Sequence, residues 1–297
     1  MENATTRERF TFASGGESLV GNLFLPKDGA VEALVVTTGP FTSVKEQAAG
    51  VYAEAMAERG FAALAFDHRC FGKSGGEPRQ FESPAWRIED IRNAAAALLD
   101  DARFADLPVN GLGVCYGAGP MAIAVHEAGE LAAFAGVAGV YTDGAQTKAM
   151  MGDAYRNKID RAKEAERRWK DTGSAERIPA VAPDGGDVAM PLREAYEFYG
   201  TPRGAVPNYT NGFAVQSWAY TLPFDVMYLR SQMKKPVLIV HSDKALLPAL
   251  ARRFYEGLGA PKEASWLDSV GQIDFYDDAK LVAAAADKAA EWFRKVD

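Results

Sequence analysis

Short, wholly apolar runs alternate with helical segments along most of this chain. That alternation confines it to an α/β architecture with a mostly parallel sheet buried on both faces. Residues 33–38, 61–66, 111–114, 131–140 and 236–241 are continuous apolar runs of strand length, and 264–267 is a shorter one. Helical spacing fills 46–60, 84–99, 117–128, 247–258 and 281–296. In the first of these helices Val51, Ala55 and Met56 share one face, and Gly60 supplies a C-terminal cap. Residues 7–15 and 17–26 read as two strands joined by a tight Gly-Gly turn. In sheets of this kind ligands bind at the carboxyl ends of the strands.

The alternation breaks between residues 141 and 235. With 297 residues, the chain has room for one large α/β domain with an insertion or for two small domains. We expect 1–140 and 236–297 to form the core and 141–235 to form a cap over it. Residues 153–170 are highly charged and helical, 172–191 are rich in Gly and Pro, and 208–225 carry Tyr209, Phe213, Trp218, Tyr220 and Phe224. Of these aromatics, Trp218, Tyr220 and Phe213 are the expected wall of an apolar substrate pocket. The same pattern also fits a surface excursion with no part in chemistry.

A net charge of −7 argues against nucleic acid or anionic membrane as the partner. No apolar run reaches the roughly 20 residues of a membrane span. Residues 1–10 are polar and charged, unlike a signal peptide. Cys70 and Cys115 are too few for a disulfide framework, so a reducing cytoplasmic setting is expected. His and Cys lack the spacing of a metal site, and Gly111-Leu112-Gly113 lacks the frame of a dinucleotide fingerprint. No cofactor or metal is expected. The expected partner is a small molecule, apolar or aromatic. The oligomeric state is open, with a homodimer through the insertion as one option.

Gly113-Val114-Cys115-Tyr116-Gly117 lies between an expected strand and an expected helix. That is the setting of a nucleophile elbow, a sharp turn that exposes one side chain. The flanking glycines suit a crowded turn. The elbow residue here is Cys115, and a helix N-terminus favours its thiolate.

With these residues in place, the chain resembles the α/β-hydrolase superfamily, in the branch near dienelactone-hydrolase-like and polyketide acyl-transferase-like proteins. Residues 39–47 (GPFTSVKEQ), 66–78 (FDHRCFGKSGGEP), the elbow, and Phe275-Tyr276-Asp277 carry the resemblance. It implies an oxyanion hole built from the backbone N–H groups of Tyr116 and Phe41. Pro40 has no N–H to offer.

The resemblance also implies an acid and a histidine, and both positions depart from the pattern. Ala245 stands where the acid belongs, with Asp243 two residues early, and Gln272 stands where the histidine belongs. Gln cannot take and return a proton near neutral pH. Of the three histidines, His68 is best placed to transfer a proton or touch substrate. His241 reads as packing beneath the site. His126 lies about 16 Å along the helix from Cys115. Asp143 and Asp274 are further carboxylate candidates, and a Cys70–Cys115 bridge would need Cα atoms within about 6 Å.

Three functions fit. The first is attack of Cys115 on an ester, thioester or lactone carbonyl, ending in acyl transfer or cyclisation rather than hydrolysis, because no base activates water. The second is a non-covalent lyase, isomerase or cyclase that uses the oxyanion hole and Gln272. The third is a binding protein that has lost catalysis.

Overall fold

The computed structural model describes residues 4–27 and 29–297. Met1–Asn3 fall outside it, so the polar stretch 1–10 is seen only from Ala4. The chain opens with β1 (Thr5–Ser14), β2 (Glu17–Pro26), β3 (Leu34–Thr38), α1 (Ala48–Ala57) and β4 (Ala62–Phe66). It continues with α2 (Pro84–Leu99), β5 (Val109–Val114), α3 (Ala118–Glu127) and β6 (Leu131–Val137). Next come α4 (Gly144–Met151), α5 (Asp153–Thr172), β7 (Arg177–Ile178), α6 (Arg193–Tyr199), β8 (Phe213–Ala214), α7 (Trp218–Thr221) and α8 (Leu229–Gln232). The chain closes with β9 (Val237–His241), α9 (Pro248–Gly257), β10 (Lys262–Trp266), α10 (Asp274–Asp277) and α11 (Ala279–Val296).

Eight strands form one sheet in the order β1-β2-β4-β3-β5-β6-β9-β10. Within this sheet the pairs β1–β2 and β2–β4 are antiparallel and the others parallel, and β7 and β8 form a separate antiparallel pair. Every residue of β3, β4, β5 and β9 is buried, and apart from Thr37, Thr38, Asn110 and His241 all of them are apolar. Alternate residues feed two cores. Val35, Ala63 and Ala65 pack with α1 and α11, whereas Leu34, Val36 and Leu64 pack with α2, α3 and α9.

Local chemistry sets the helix ends. Ser83 caps α2 by accepting the Trp86 N–H, with Pro84 in the first turn. Past α1, Phe61 N–H reaches Met56 O and Gly60 N–H reaches Ala57 O, and Gly60 takes φ 92° as the expected cap. Two differences from the sequence reading matter. The run 131–140 leaves the sheet after Val137 because Ala138 turns to φ 42°. One-turn helix α10 was not foreseen, and it carries a residue of the site.

Between β6 and β9, the segment holding α4–α8 has a small core of its own: Ala162, Ala165, Ile178, Phe213, Val215 and Trp218.

Candidate active site at the end of the fifth strand

Cys115 follows β5 directly and begins a single 3-10 turn, Cys115–Gly117, that leads into α3. Its φ of 55° is left-handed, a conformation that costs a non-glycine residue about 1–3 kcal/mol. The glycines are required by close approach. A Cβ on Gly113 would sit 2.5 Å from Ala118 Cα, and one on Gly117 would sit 2.6 Å from Gly39 O. The elbow therefore has the local geometry that the sequence implied.

Cys115 lies on the wall of a cavity of about 290 Å³. Phe41, Met190, Tyr199, Leu246, Gln272 and Tyr276 are among its lining residues. The Tyr276 hydroxyl, the Tyr116 N–H and the Gln272 side chain stand beside the thiol, and each favours its anion. Burial pushes the thiol pKa up, and these neighbours offset only part of that rise. The expectation that the helix N-terminus favours the thiolate is thus overridden by desolvation, and the resting group is a thiol. Alkylation of Cys115 by iodoacetamide should accordingly reach half-maximum above the ordinary thiol value of about 8.5. Tyr276→Phe removes a group that stabilises the anion, so it should move the midpoint further up. A profile centred below about 8 would show an activated thiolate instead.

Gln272 is held firmly. Its Oε1 accepts the Leu246 N–H at 2.9 Å, and its Nε2 donates to Ala138 O at 2.9 Å and to Tyr276 Oη at 3.4 Å. Sequence reasoning gave Tyr276 no role. The signal was its spacing, four residues after Gln272, which matters only once 274–277 is known to be helical.

The loop after β3 is braced from below by a fully buried ion pair. Arg87 Nη1 donates to Gly39 O at 3.1 Å and Nη2 to Pro40 O at 3.2 Å. Glu82 binds Arg87 Nε and accepts the Thr42 N–H at 3.1 Å. The Pro40 carbonyl and the Phe41 N–H belong to one planar trans peptide and point in opposite directions. Fixing the carbonyl therefore fixes the Phe41 N–H. The Arg87 guanidinium also lies 5.5 Å from the Tyr116 ring centroid. The sequence reading missed both Arg87 and Glu82, because a charged residue in or beside an amphipathic helix normally faces water.

Other expected site residues lie elsewhere. His68 does not line the cavity. It is 5% exposed, its Nδ1 sits 3.3 Å from Asp90 Oδ2, and its ring meets the Phe66 ring. Burial, above all, lowers its pKa, so His68 is a poor proton carrier. His241 is fixed between Ser242 O and Gly139 O, and His126 sits in the last turn of α3. Ala245 is buried on the cavity wall, whereas Asp243 binds Arg252 and Trp266 Nε1 at the surface. Asp274 accepts the Val270 and Gly271 N–H groups, and Asp143 caps α4 and pairs with Arg253. Cys70 is a buried free thiol whose pKa is pushed up to about 12 by burial, and Cys115 is also free.

The three expected wall aromatics need correction. Phe213 is fully buried and reaches the site only through Phe41, 5.5 Å away. Trp218 packs in the same small core under Lys158. Tyr220 is half-exposed and bonds Glu166 at 3.0 Å. This aromatic run holds the insertion together, and the wall comes instead from Met190, Leu192, Ala195 and Tyr199. Glu194 also lines the cavity, but its Oε1 is spent on the Ile273 N–H at 2.6 Å. Among the described residues, no group of three His, Cys, Asp or Glu side chains is placed to hold a metal ion, and no helix is long and apolar enough to cross a membrane.

No family model matches the chain. It is 32% identical to the uncharacterized protein PA2218 of Pseudomonas aeruginosa, over 96% of this chain and 79% of that one. The crystal structure of PA2218 superposes with a TM-score of 0.84 at 24% identity, covering 99% of this chain and 94% of that one. The α/β hydrolase GrgF from Penicillium sp. superposes with a TM-score of 0.81 at 19% identity, over 98% of each chain. A soluble variant of Saccharomyces cerevisiae monoglyceride lipase, in complex with a substrate analog, gives 0.74 at 15% identity over 99% and 97%. The architecture is therefore the α/β-hydrolase fold.

Proposed function

The chain belongs to the family of the Pseudomonas aeruginosa protein PA2218, and from that premise we propose that it is an acyl-transferring enzyme whose nucleophile is Cys115. One observation carries the reading: the elbow thiol lies on the wall of a largely apolar cavity beside Gln272 and Tyr276. Residues 141–235 act as the cap, since Met190 to Tyr199 close the cavity from their side. Within the fold, the loop motifs support the dienelactone-hydrolase-like and polyketide acyl-transferase-like branch, and the proposed setting is cytoplasmic.

The substrate is an ester, thioester or lactone with an apolar acyl part. Its carbonyl oxygen lies between the Tyr116 and Phe41 N–H groups, the second held in place by Arg87 acting on Pro40 O. Cys115 Sγ forms a bond to the carbonyl carbon, and the bond to the leaving oxygen or sulfur breaks. The thiol proton ends on that leaving atom, passed through Tyr276, which releases its own proton as it accepts the new one. Among the described residues no histidine lines the cavity to activate water, so the acyl-enzyme resolves by transfer to a better nucleophile, a thiol or an amine, or by cyclisation. This chemistry suits secondary metabolism. The non-covalent alternative asks Gln272 to polarise a substrate, but its amide is already engaged with Leu246, Ala138 and Tyr276.

The test is intact mass after incubation with p-nitrophenyl esters and acyl thioesters. An acyl adduct should form on Cys115 and release slowly to water. Turnover without any adduct would replace this reading with the non-covalent one.

A further inference from the structure

The insertion is tied to the loop that carries the Phe41 N–H. Of the partly buried residues described, Phe41 alone packs both against the core holding Cys115 and Tyr116 and against the insertion's small core. Its ring stands edge-on to Tyr116 with centroids 4.8 Å apart, and on the insertion side it meets Phe213 at 5.5 Å. Phe213 is fully buried and is backed by the Trp218 ring at 5.7 Å, so the Phe41 ring has a firm wall behind it. A second link runs through Glu82. Its N–H donates to Ser217 Oγ of the insertion at 2.8 Å, while its carboxylate accepts the Thr42 N–H and pairs with Arg87. The loop needs such holding. Thr42, next to Phe41, sits at φ 59°, a left-handed conformation that a β-branched residue keeps only where its surroundings impose it. Arg87 fixes the backbone at Pro40 from below, and Phe213 bears on the Phe41 ring from above.

We infer that Phe213 is a positioning residue. Through the Phe41 ring it holds the Phe41 N–H where charge develops on the substrate's carbonyl oxygen, so the insertion completes the oxyanion hole as well as covering the cavity. This rests on the reading of Cys115 as nucleophile and of the Tyr116 and Phe41 N–H groups as the oxyanion donors. Phe213 does not line the cavity, so its loss takes no contact from the substrate. A misplaced oxyanion donor weakens the transition state and leaves ground-state binding as it was.

Two reactions of the same thiol test this. Acylation by p-nitrophenyl butyrate develops charge on a carbonyl oxygen. Alkylation by iodoacetamide attacks a methylene carbon, expels iodide and builds no such charge. The ratio of the two rates therefore reads the oxyanion hole apart from the thiol's access and pKa. In Phe213→Ala the acylation rate at saturating ester should fall about 10- to 100-fold while alkylation keeps its rate, since complete loss of one donor costs about 10²–10³-fold. Affinity for the ester, measured on Cys115→Ala and on Cys115→Ala/Phe213→Ala, should not change. Phe213→Leu refills much of the space and should recover part of the rate. It also carries the comparison should the alanine variant fail to fold, with a ratio about 3- to 10-fold below wild type. An unchanged ratio in a folded variant, equal falls in both reactions, or a loss confined to affinity would overturn the assignment and leave Phe213 as packing alone. No acyl adduct on the wild type would remove the Cys115 reading and this inference with it, so the two failures are told apart.

Discussion

Cys115→Ala is expected to abolish the acyl adduct and to lower turnover of activated esters and thioesters by about 10³-fold or more, as removal of a covalent nucleophile does elsewhere. The substitution removes one atom beyond Cβ. The backbone strain at φ 55° is the same for Ala as for Cys, so the elbow should keep its shape. Tyr276 loses the thiol but keeps Gln272 Nε2 as a partner at 3.4 Å. The loss should therefore appear in the rate and not in Tm. Cys115→Ser should be nearly as inactive, since an alcohol needs a base far more than a thiol does and no histidine lines the cavity among the described residues. Release of p-nitrophenolate, followed alongside intact mass, checks both variants. Undiminished turnover by the alanine variant would end the covalent mechanism.

Arg87→Met should lower unfolding free energy by about 3–5 kcal/mol, because it leaves the carboxylate of Glu82 buried without its counter-ion. Arg87 is 1% exposed and Glu82 is fully buried, so water cannot replace the lost partner. Removing both charges, in Arg87→Met/Glu82→Leu, should recover a large part of that loss, since the desolvation cost of the carboxylate goes with it. Urea titration of the two variants against wild type measures this. The double variant should still acylate slowly, because Gly39 O and Pro40 O no longer have the guanidinium that orients the Phe41 N–H. A single variant within about 1 kcal/mol of wild type would mean that the pair contributes little to the fold.

The strands and the elbow were legible because their signals are local. A strand buried on both faces is largely apolar, and β3, β4 and β9 are buried along their whole length with Thr37, Thr38 and His241 as their polar residues. A turn with no room for two Cβ atoms must have glycine at both places, as at Gly113 and Gly117. Gln272 was found from the motif around it. The aromatic run 208–225 misled because aromatics mark burial without saying against what. Phe213 and Trp218 are indeed buried, but in the insertion's own core. His68 misled in the same way: it follows its strand as expected, while Asp90 takes up its ring nitrogen and the ring stays off the cavity wall.

The sequence by itself thus determined the α/β architecture and the sharp turn at Cys115. These follow from periodicity, glycine spacing and residue identity, which are properties of neighbours in the chain. Tertiary structure alone decided that Cys115 rests as a thiol, that Tyr276 and Gln272 stand beside it, and that Arg87 braces the loop at Pro40. Each of these depends on burial and on hydrogen-bond partners from distant segments that meet only when β3, β5 and β6 lie side by side in the sheet. Desolvation and pairing are set by what surrounds a group in space, and linear order does not record that.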